Sequence, residues 1–217
     1  GILNVDKPYG ITSMEVVRRV KRGTGLRRVG HGGTLAPVAT GVIPVCLGRA
    51  TRVMEYLVAG TKEYRTVIEF GTTTDTYDAL GKMTEKTDAS GVTAEDIERS
   101  LEPFRGVIEQ VPPMYSALKK QGKRLYNLAR AGIHVEREPR RVETWRVDLV
   151  DWSPPLATIE VTCGRGFYMR SLAHDLGQAL GCGGHLKELT RLRSGFFHLA
   201  GATGLEELEE MIDEGTW

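Results

Sequence analysis

Apolar and polar positions along the chain fall into short runs whose period switches between two and about 3.6 residues. Ile2 to Val5 is a brief apolar run ending at Lys7-Pro8-Tyr9-Gly10, a turn signal, and predicts a strand. Thr12 with Glu15 three residues on makes a capping box for a helix through Val16, Val17 and Val20. Val42 to Leu47 reads as a buried strand, and Ala50 to Ala59 as a helix with Val53, Met54 and Leu57 on one face. Lys62 to Phe70 alternates charged and apolar residues, which predicts a half-exposed strand. Thr72 to Gly81 is a polar loop whose Asp75 and Asp78 are expected to bond nearby backbone. Thr93 and Asp96 cap a helix that ends before Pro103. Val107 to Val111 and Met114 to Leu118 are expected as short strands around Pro112-Pro113, and Arg124 to Ala131 as a basic helix stopped by Gly132. Val142 to Trp152 and Ala157 to Cys163 form an antiparallel pair around Pro154-Pro155. Phe167 to Leu180 reads as a helix, Leu186 to Leu192 as another, Phe196 to Leu199 as a strand and 204–213 as a short acidic helix. Interspersed helices and hairpin-like strand pairs without strict alternation define an α+β class with a mixed or antiparallel sheet.

At 217 residues with 41% apolar and 26% charged, the chain has an ordinary globular composition and room for a sizeable core. No run of about 18 uncharged apolar residues is present, so no membrane-spanning helix is expected. Cys46, Cys163 and Cys182 make no close pair and read as reduced, buried residues of a cytoplasmic protein; no histidine is spaced like a zinc ligand, so no metal is expected.

The net charge of +1 conceals segregation. Residues 1–60 hold nine basic against three acidic residues, and 201–217 hold six acids and no base. Within 117–141 there are eight bases, Lys119, Lys120, Lys123, Arg124, Arg130, Arg137, Arg140 and Arg141, against Glu136 and Glu138. Such segments are either solvated faces or one phosphate-tracking surface.

Four features carry possible chemistry: the loop Gly30-His31-Gly32-Gly33-Thr34-Leu35-Ala36-Pro37, Tyr64 on its alternating strand, the turn Gly164-Arg165-Gly166-Phe167-Tyr168-Met169-Arg170, and the basic stretch 117–141. Glycine-rich backbone admits a ligand closely and arginine suits phosphates. Without a serine–histidine–acid order, a Walker loop or a dinucleotide fingerprint, spacing alone stops at a soluble α+β domain, with RNA binding one of the roles open to it.

Four stretches together carry a resemblance. Leu3-Asn4-Val5-Asp6-Lys7-Pro8-Tyr9-Gly10 resembles the opening motif of the bacterial tRNA pseudouridine-55 synthases (the TruB-type family), and Arg28 to Gly41 resembles their catalytic loop. Met114-Tyr115-Ser116-Ala117-Leu118-Lys119, followed by Gly122, Leu125-Tyr126 and Ala129-Arg130, is similar to their tRNA-contacting segment. Gly166-Phe167-Tyr168-Met169-Arg170-Ser171 is similar to their third active-site motif. The resemblance spans nearly the whole chain in the family's order.

It implies a pseudouridine synthase fold with a mixed or antiparallel sheet and flanking helices around an RNA-binding cleft. It implies isomerisation of a uridine in the tRNA T-loop, position 55, by base flipping, with no cofactor and no metal. The resemblance also implies that the histidine at His31 helps take up the space the base vacates, and that the tyrosine at Tyr64 stacks on the flipped ring, with its phenol available to take a proton later. Arg170 is expected to pair with the catalytic aspartate, Tyr168 and Leu189 to line the pocket, Lys7 with Pro8 to support the loop from below, and Thr34 to lie at the substrate. Lys119, Lys123, Arg124, Arg130 and Arg141 are expected on the T-arm, with Tyr115 and Tyr126 interleaved. The expected unit is a monomeric catalytic domain over 1–217, its T-arm-contacting segment near 112–141, with no C-terminal PUA-type RNA-binding domain in this chain. The guide-RNA-dependent synthases are related but carry that extra domain.

One position departs from the family. The nucleophilic aspartate belongs between the leucine and proline of the catalytic loop, and here that residue is Ala36. A methyl group can attack neither the ribose C1′ nor the uracil C6. The chain is therefore expected to bind RNA without isomerising it. A rival expectation is a naturally non-catalytic tRNA-binding protein or tRNA-folding chaperone. Arg170, deprived of a carboxylate, is expected to stand uncompensated.

Overall fold

The periodicities resolve into twenty regular elements in the computed structural model, which describes residues 1–116, 118–120, 122–133 and 135–217; the side chains of Lys119, Lys120, Lys123, Arg124 and Arg130 lie outside the description. In chain order they are β1 (Ile2–Lys7), α1 (Ser13–Thr24), β2 (Val29–His31), β3 (Ala39–Leu47), α2 (Met54–Ala59), β4 (Lys62–Phe70), β5 (Thr72–Thr74), β6 (Met83–Lys86), α3 (Ala94–Leu101) and β7 (Gly106–Gln110). There follow β8 (Lys119–Lys120), β9 (Lys123–Arg124), α4 (Leu125–Arg130), β10 (Arg140–Ser153), β11 (Leu156–Cys163), α5 (Met169–Ala179), β12 (Gly184–Ser194), β13 (Phe197–His198), β14 (Thr203–Gly204) and α6 (Leu205–Glu214). They group into two compact units, each built from separate stretches of chain: Gly1–Arg65, Thr162–Arg165 and Glu188–Trp217 make the first, Thr66–Val161 and Gly166–Lys187 the second.

In the first unit β1 runs antiparallel to β3, from Ile2 opposite Cys46 to Lys7 opposite Gly41. The remaining pairings of β3 make the sheet mixed: β12 runs parallel to it, with Leu189 opposite Ala39 and Arg191 opposite Gly41, whereas β2 is antiparallel. Gly41 has φ +97°, and a Cβ there would collide with the Arg191 backbone, so the close approach of β3 and β12 requires glycine. β3 is buried along almost its whole length. Helix α1 has Thr12 accepting from the Glu15 amide at its N-terminus and buries Val16, Val17 and Val20. Each such side chain contributes about 1.5–3 kcal/mol through removal from water. The acidic α6 meets α1 through a two-pronged pair, Arg19 Nε lying 2.7 Å from Glu209 Oε1.

In the second unit the strand order is β4, β11, β10, β7, and β10 pairs antiparallel with β7 from Arg140 opposite Gln110 to Thr144 opposite Gly106. Ile68, Ile97, Leu101, Ile159, Leu172, Leu176 and Leu186 are fully buried. Gly177 of α5 lies so close to the Gly183–Gly184 backbone that a Cβ would overlap it, which fixes how α5 turns into β12.

Several expected elements change. Leu186 to Leu192 is not a helix but part of β12. Leucines at 186, 189 and 192 imitate helical spacing, whereas the strand alternation is hidden because one inward position is the charged Arg191, 1% exposed. The polar loop after Phe70 contains β5, paired with β6, and the glycine-rich stretch before Thr34 contains β2, paired with β3. Ala50–Ala59 divides into a 3-10 turn, Gly48–Val53, and α2. No strand forms at 114–116, and Ala117 lies outside the described residues.

Candidate active site

The catalytic-loop motif is pinned on both sides of Ala36. Ser13, the first residue of α1, uses its hydroxyl twice, accepting from the Leu35 amide at 2.8 Å and donating to the Leu35 carbonyl at 3.0 Å. On the other side the Gly10 amide donates to the Pro37 carbonyl at 2.9 Å. The turn bearing Gly10 is itself tied by Lys7, whose ammonium donates to the carbonyls of Pro8 (2.8 Å) and Ile11 (2.9 Å). Lys7 is fully buried, and burial, with Arg191 nearby, pulls it down to about 8. A chain of hydrogen bonds thus runs from Lys7 on β1 through the turn at Gly10 to Pro37. Ala36 itself is half-buried, its carbonyl accepting from the Ala39 amide at 3.0 Å, and Thr34 is exposed.

Behind this loop lies a residue the sequence patterns did not single out. Arg191 reaches from β12 to the Val42 carbonyl (Nε, 2.6 Å) and the Gly33 carbonyl (Nη2, 3.3 Å). Among the described residues no carboxylate pairs with it. Its charge is felt widely. Burial first, and Arg191 second, lower His31 and bring Lys62 down to about 8. Burial pushes the Tyr64 phenol up, an effect Arg191 opposes. His31 Nδ1 is buried without a hydrogen-bond partner among the described residues. His31, Tyr64, Ala36, Lys7 and Leu189 all belong to this first unit, Leu189 buried on β12 next to the Ala39 register position.

Arg170 and Tyr168 belong to the second unit. Tyr168 immediately precedes α5 and is held through its backbone by Gln110, whose amide accepts from the Tyr168 N–H (2.7 Å) and donates to its carbonyl (3.1 Å). Ser171 Oγ donates to the Val111 carbonyl at 2.7 Å, so the end of β7 fixes the start of α5. The expectation that Arg170 stands uncompensated is wrong. Its Nη1 lies 3.2 Å from Asp78 Oδ2 with both side chains largely buried, and it donates to the carbonyls of Thr76 (3.3 Å) and Tyr115 (2.6 Å). Asp78 does bond its own loop as expected, accepting from Thr76 Oγ1 at 2.7 Å and the Leu80 amide at 3.1 Å. Its second oxygen is what the loop-only role left out: a buried guanidinium without a partner would be costly.

Of the T-arm candidates, Arg141 is exposed on β10 opposite Glu109. Lys119, Lys123, Arg124 and Arg130 have their backbone in β8, β9 and α4, and their side chains lie outside the described residues.

Residues 21–169 match the family model described as TruB family pseudouridylate synthase, N-terminal domain, and 170–215 match that of the tRNA pseudouridylate synthase B C-terminal domain. The chain belongs to the TruB family of pseudouridylate synthases.

Among curated relatives it is similar to the tRNA pseudouridine synthase B of Symbiobacterium thermophilum, 53% identical over 96% of this chain and 71% of that protein. The proteins of the same name from Dehalococcoides mccartyi (strain CBDB1) and Pseudomonas aeruginosa (strain UCBPP-PA14) are 51% and 49% identical, each over 99% of this chain and 72% and 70% of theirs. Among solved structures it is similar to a chain of a Cbf5-Nop10-Gar1 complex, with TM-score 0.78, 31% identity and coverage of 99% of this chain and 56% of that one. It is also similar to a chain of an H/ACA RNP bound to a substrate RNA containing 2′-deoxyuridine, with TM-score 0.73, 29% identity and coverage of 99% and 55%. The chain spans a little over half the length of these two solved chains.

Proposed function

We propose that this chain is the scaffold of a tRNA uridine-55 isomerase that binds the T-arm and everts its target base, and that Ala36 leaves it unable to complete the reaction. The observation that carries this is the pinning of Ala36: Leu35 is held by Ser13 and Pro37 by Gly10, so the residue at the nucleophile's position is fixed as a catalytic carboxylate would need to be. A methyl group placed with that care has no chemistry of its own.

With aspartate at position 36, the carboxylate attacks ribose C1′ or uracil C6 and the N1–C1′ bond breaks. The base turns, C5 bonds to C1′, the bond to the carboxylate breaks and returns it free, and the C5 proton is lost while N1 gains one. Atoms and electrons balance within the nucleotide, so the proposed reaction takes no cofactor. Tyr64 would stack on the everted ring, His31 would fill the vacated space, and Leu189 would line the pocket. The basic segment near 112–141 would track T-arm phosphates, each neutralised phosphate steepening the salt dependence by about one unit. The same proposal takes the chain as a cytoplasmic monomer.

Tritium release from tRNA labelled at uracil C5 tests it. The chain as it stands releases none while still binding the RNA, and Ala36→Asp releases tritium. Binding with no release after Ala36→Asp would instead favour a non-catalytic tRNA-binding protein, the second reading that Ala36 permits.

A further inference from the structure

Wherever else the described chain turns into the left-handed region it does so at glycine; at Tyr77, φ +63°, it does so at an aromatic residue. For a bulky side chain that backbone is unfavourable, and it persists only where the surroundings hold it there. Glycine would adopt the turn freely, so the backbone alone gives no reason for tyrosine. What tyrosine adds is a ring. It lies flat on the imidazole of His174, with centroids 3.9 Å apart and planes 9° from parallel. His174 Nδ1 is buried without a hydrogen-bond partner among the described residues, so the histidine meets the tyrosine with its face. Burial first, and Arg137 second, lower the imidazole below the ordinary histidine value, which keeps it from becoming a second cation one turn from Arg170.

His174 stands four residues after Arg170 in α5, so the two share one face of the helix. That face grips three consecutive residues. Arg170 Nη1 donates to the Thr76 carbonyl (3.3 Å) and to Asp78 Oδ2 (3.2 Å), and His174 stacks on the Tyr77 ring between them. The same segment is also laid on the start of β12: the Leu186 amide donates to the Tyr77 carbonyl at 3.0 Å, and the Ala79 amide donates to the Leu186 carbonyl at 2.9 Å. Those bonds belong to the backbone and would survive loss of the ring. The stack sets how the segment sits against α5, and so where Thr76 and Asp78 meet the guanidinium. Two of the three acceptors that Arg170 has among the described residues lie in this segment.

We propose that Tyr77 and His174 are positioning residues that hold the Arg170 guanidinium in one orientation by clamping residues 76–78 to α5, without themselves touching the uridine. This rests on the functional reading above, in which Arg170 belongs to an active-site motif, and the experiment separates the two. In the unaltered chain the Arg170 guanidinium signals are followed by nitrogen-15 NMR and assigned by their absence in Arg170→Lys. Their hydrogen exchange quickens about tenfold in Tyr77→Gly and in His174→Ala, as for a local opening. In the Ala36→Asp background, Tyr77→Gly lowers kcat about 30-fold while KM for a T-arm stem-loop stays within about threefold, as expected when a working group is misplaced. Tyr77→Phe, which keeps the ring, stays within about threefold of the parent in kcat, and His174→Phe recovers most of what His174→Ala loses. The melting temperature of Tyr77→Gly stays within about 3 °C of the parent, because the relaxed backbone offsets the lost ring contact.

A Tyr77→Gly enzyme with undiminished kcat would overturn the proposal, as would a loss that lies in KM, an equal loss in Tyr77→Phe, or unchanged exchange at Arg170. Should Tyr77→Gly fail to fold or melt well below the parent, His174→Ala and His174→Phe decide by the same kcat criterion. Should Ala36→Asp be inactive altogether, the functional reading falls and the exchange measurement still decides whether the stack holds Arg170.

Discussion

Two buried arginines sit in the two units, and they are satisfied by different means. Arg170 has a carboxylate, Asp78, backed by two carbonyls. Arg191 has two backbone carbonyls, and among the described residues no acid pairs with it. The first arrangement is a local ion pair whose halves need each other. The second sits among other cations: burial first, and Arg191 second, bring Lys7 and Lys62 each down to about 8. An ion pair makes its own element rigid. An unpaired guanidinium surrounded by acceptors ties together several stretches at once, here β12, β3 and the loop at Gly33.

Breaking the pair should have the largest effect on stability. Asp78→Asn leaves Arg170 charged, buried and without its acid, and should cost about 3 kcal/mol in urea unfolding. Adding Arg170→Met to it should recover part of that loss. If Asp78→Asn costs no more than an ordinary surface substitution, the pair is not what holds Arg170.

The unpaired arrangement makes a prediction of opposite character, in pH. Lys7 and Lys62 titrate near 8 when folded, against an ordinary lysine value of 10.5. Between these values the unfolded chain holds the extra protons, so stability rises with pH through that window. Below pH 8 both states are protonated and the full penalty for burying the charges stands. Thermal unfolding from pH 7.5 to 10 should show this rise, and Lys62→Met should flatten a large part of it; an equal rise in both proteins contradicts the assignment.

The smallest effect concerns His31, lowered chiefly by burial and secondarily by Arg191. Arg191→Met should therefore raise its titration, followed by the ring protons in NMR, by only a fraction of a pH unit, since burial remains. A fall, or full return to the ordinary value, would mean that the neighbourhood is ordered otherwise.

Much of this was legible in the sequence, in different degrees for the two arginines. Arg170 stands in a motif at the start of a helix and could be singled out, as could Lys7, His31, Tyr64 and the departure at Ala36. Its partner could not: Asp78 lies 92 residues away in a loop where its other oxygen bonds Thr76 and Leu80, and local bonds are what an aspartate in a turn ordinarily makes. Arg191 was missed for a stronger reason. A charged residue at an inward strand position reverses the polarity pattern on which strand assignment depends, so the same residue concealed both itself and β12. Gln110 and Ser13 were equally invisible, because their work is done on backbone groups brought close only by folding. Helices α1 and α3, with their capping signals, needed no such long-range information.

The measurement that bears most directly on the whole account is position-resolved pseudouridine mapping of unmodified tRNA incubated with the Ala36→Asp chain, by nucleoside mass spectrometry and by reverse-transcription stops after carbodiimide treatment. Conversion confined to uridine 55, with none produced by the unaltered chain, is the predicted result. An unmodified position 55, or pseudouridine scattered over other loops, would contradict the claim that a single missing carboxylate separates this chain from a working T-loop isomerase.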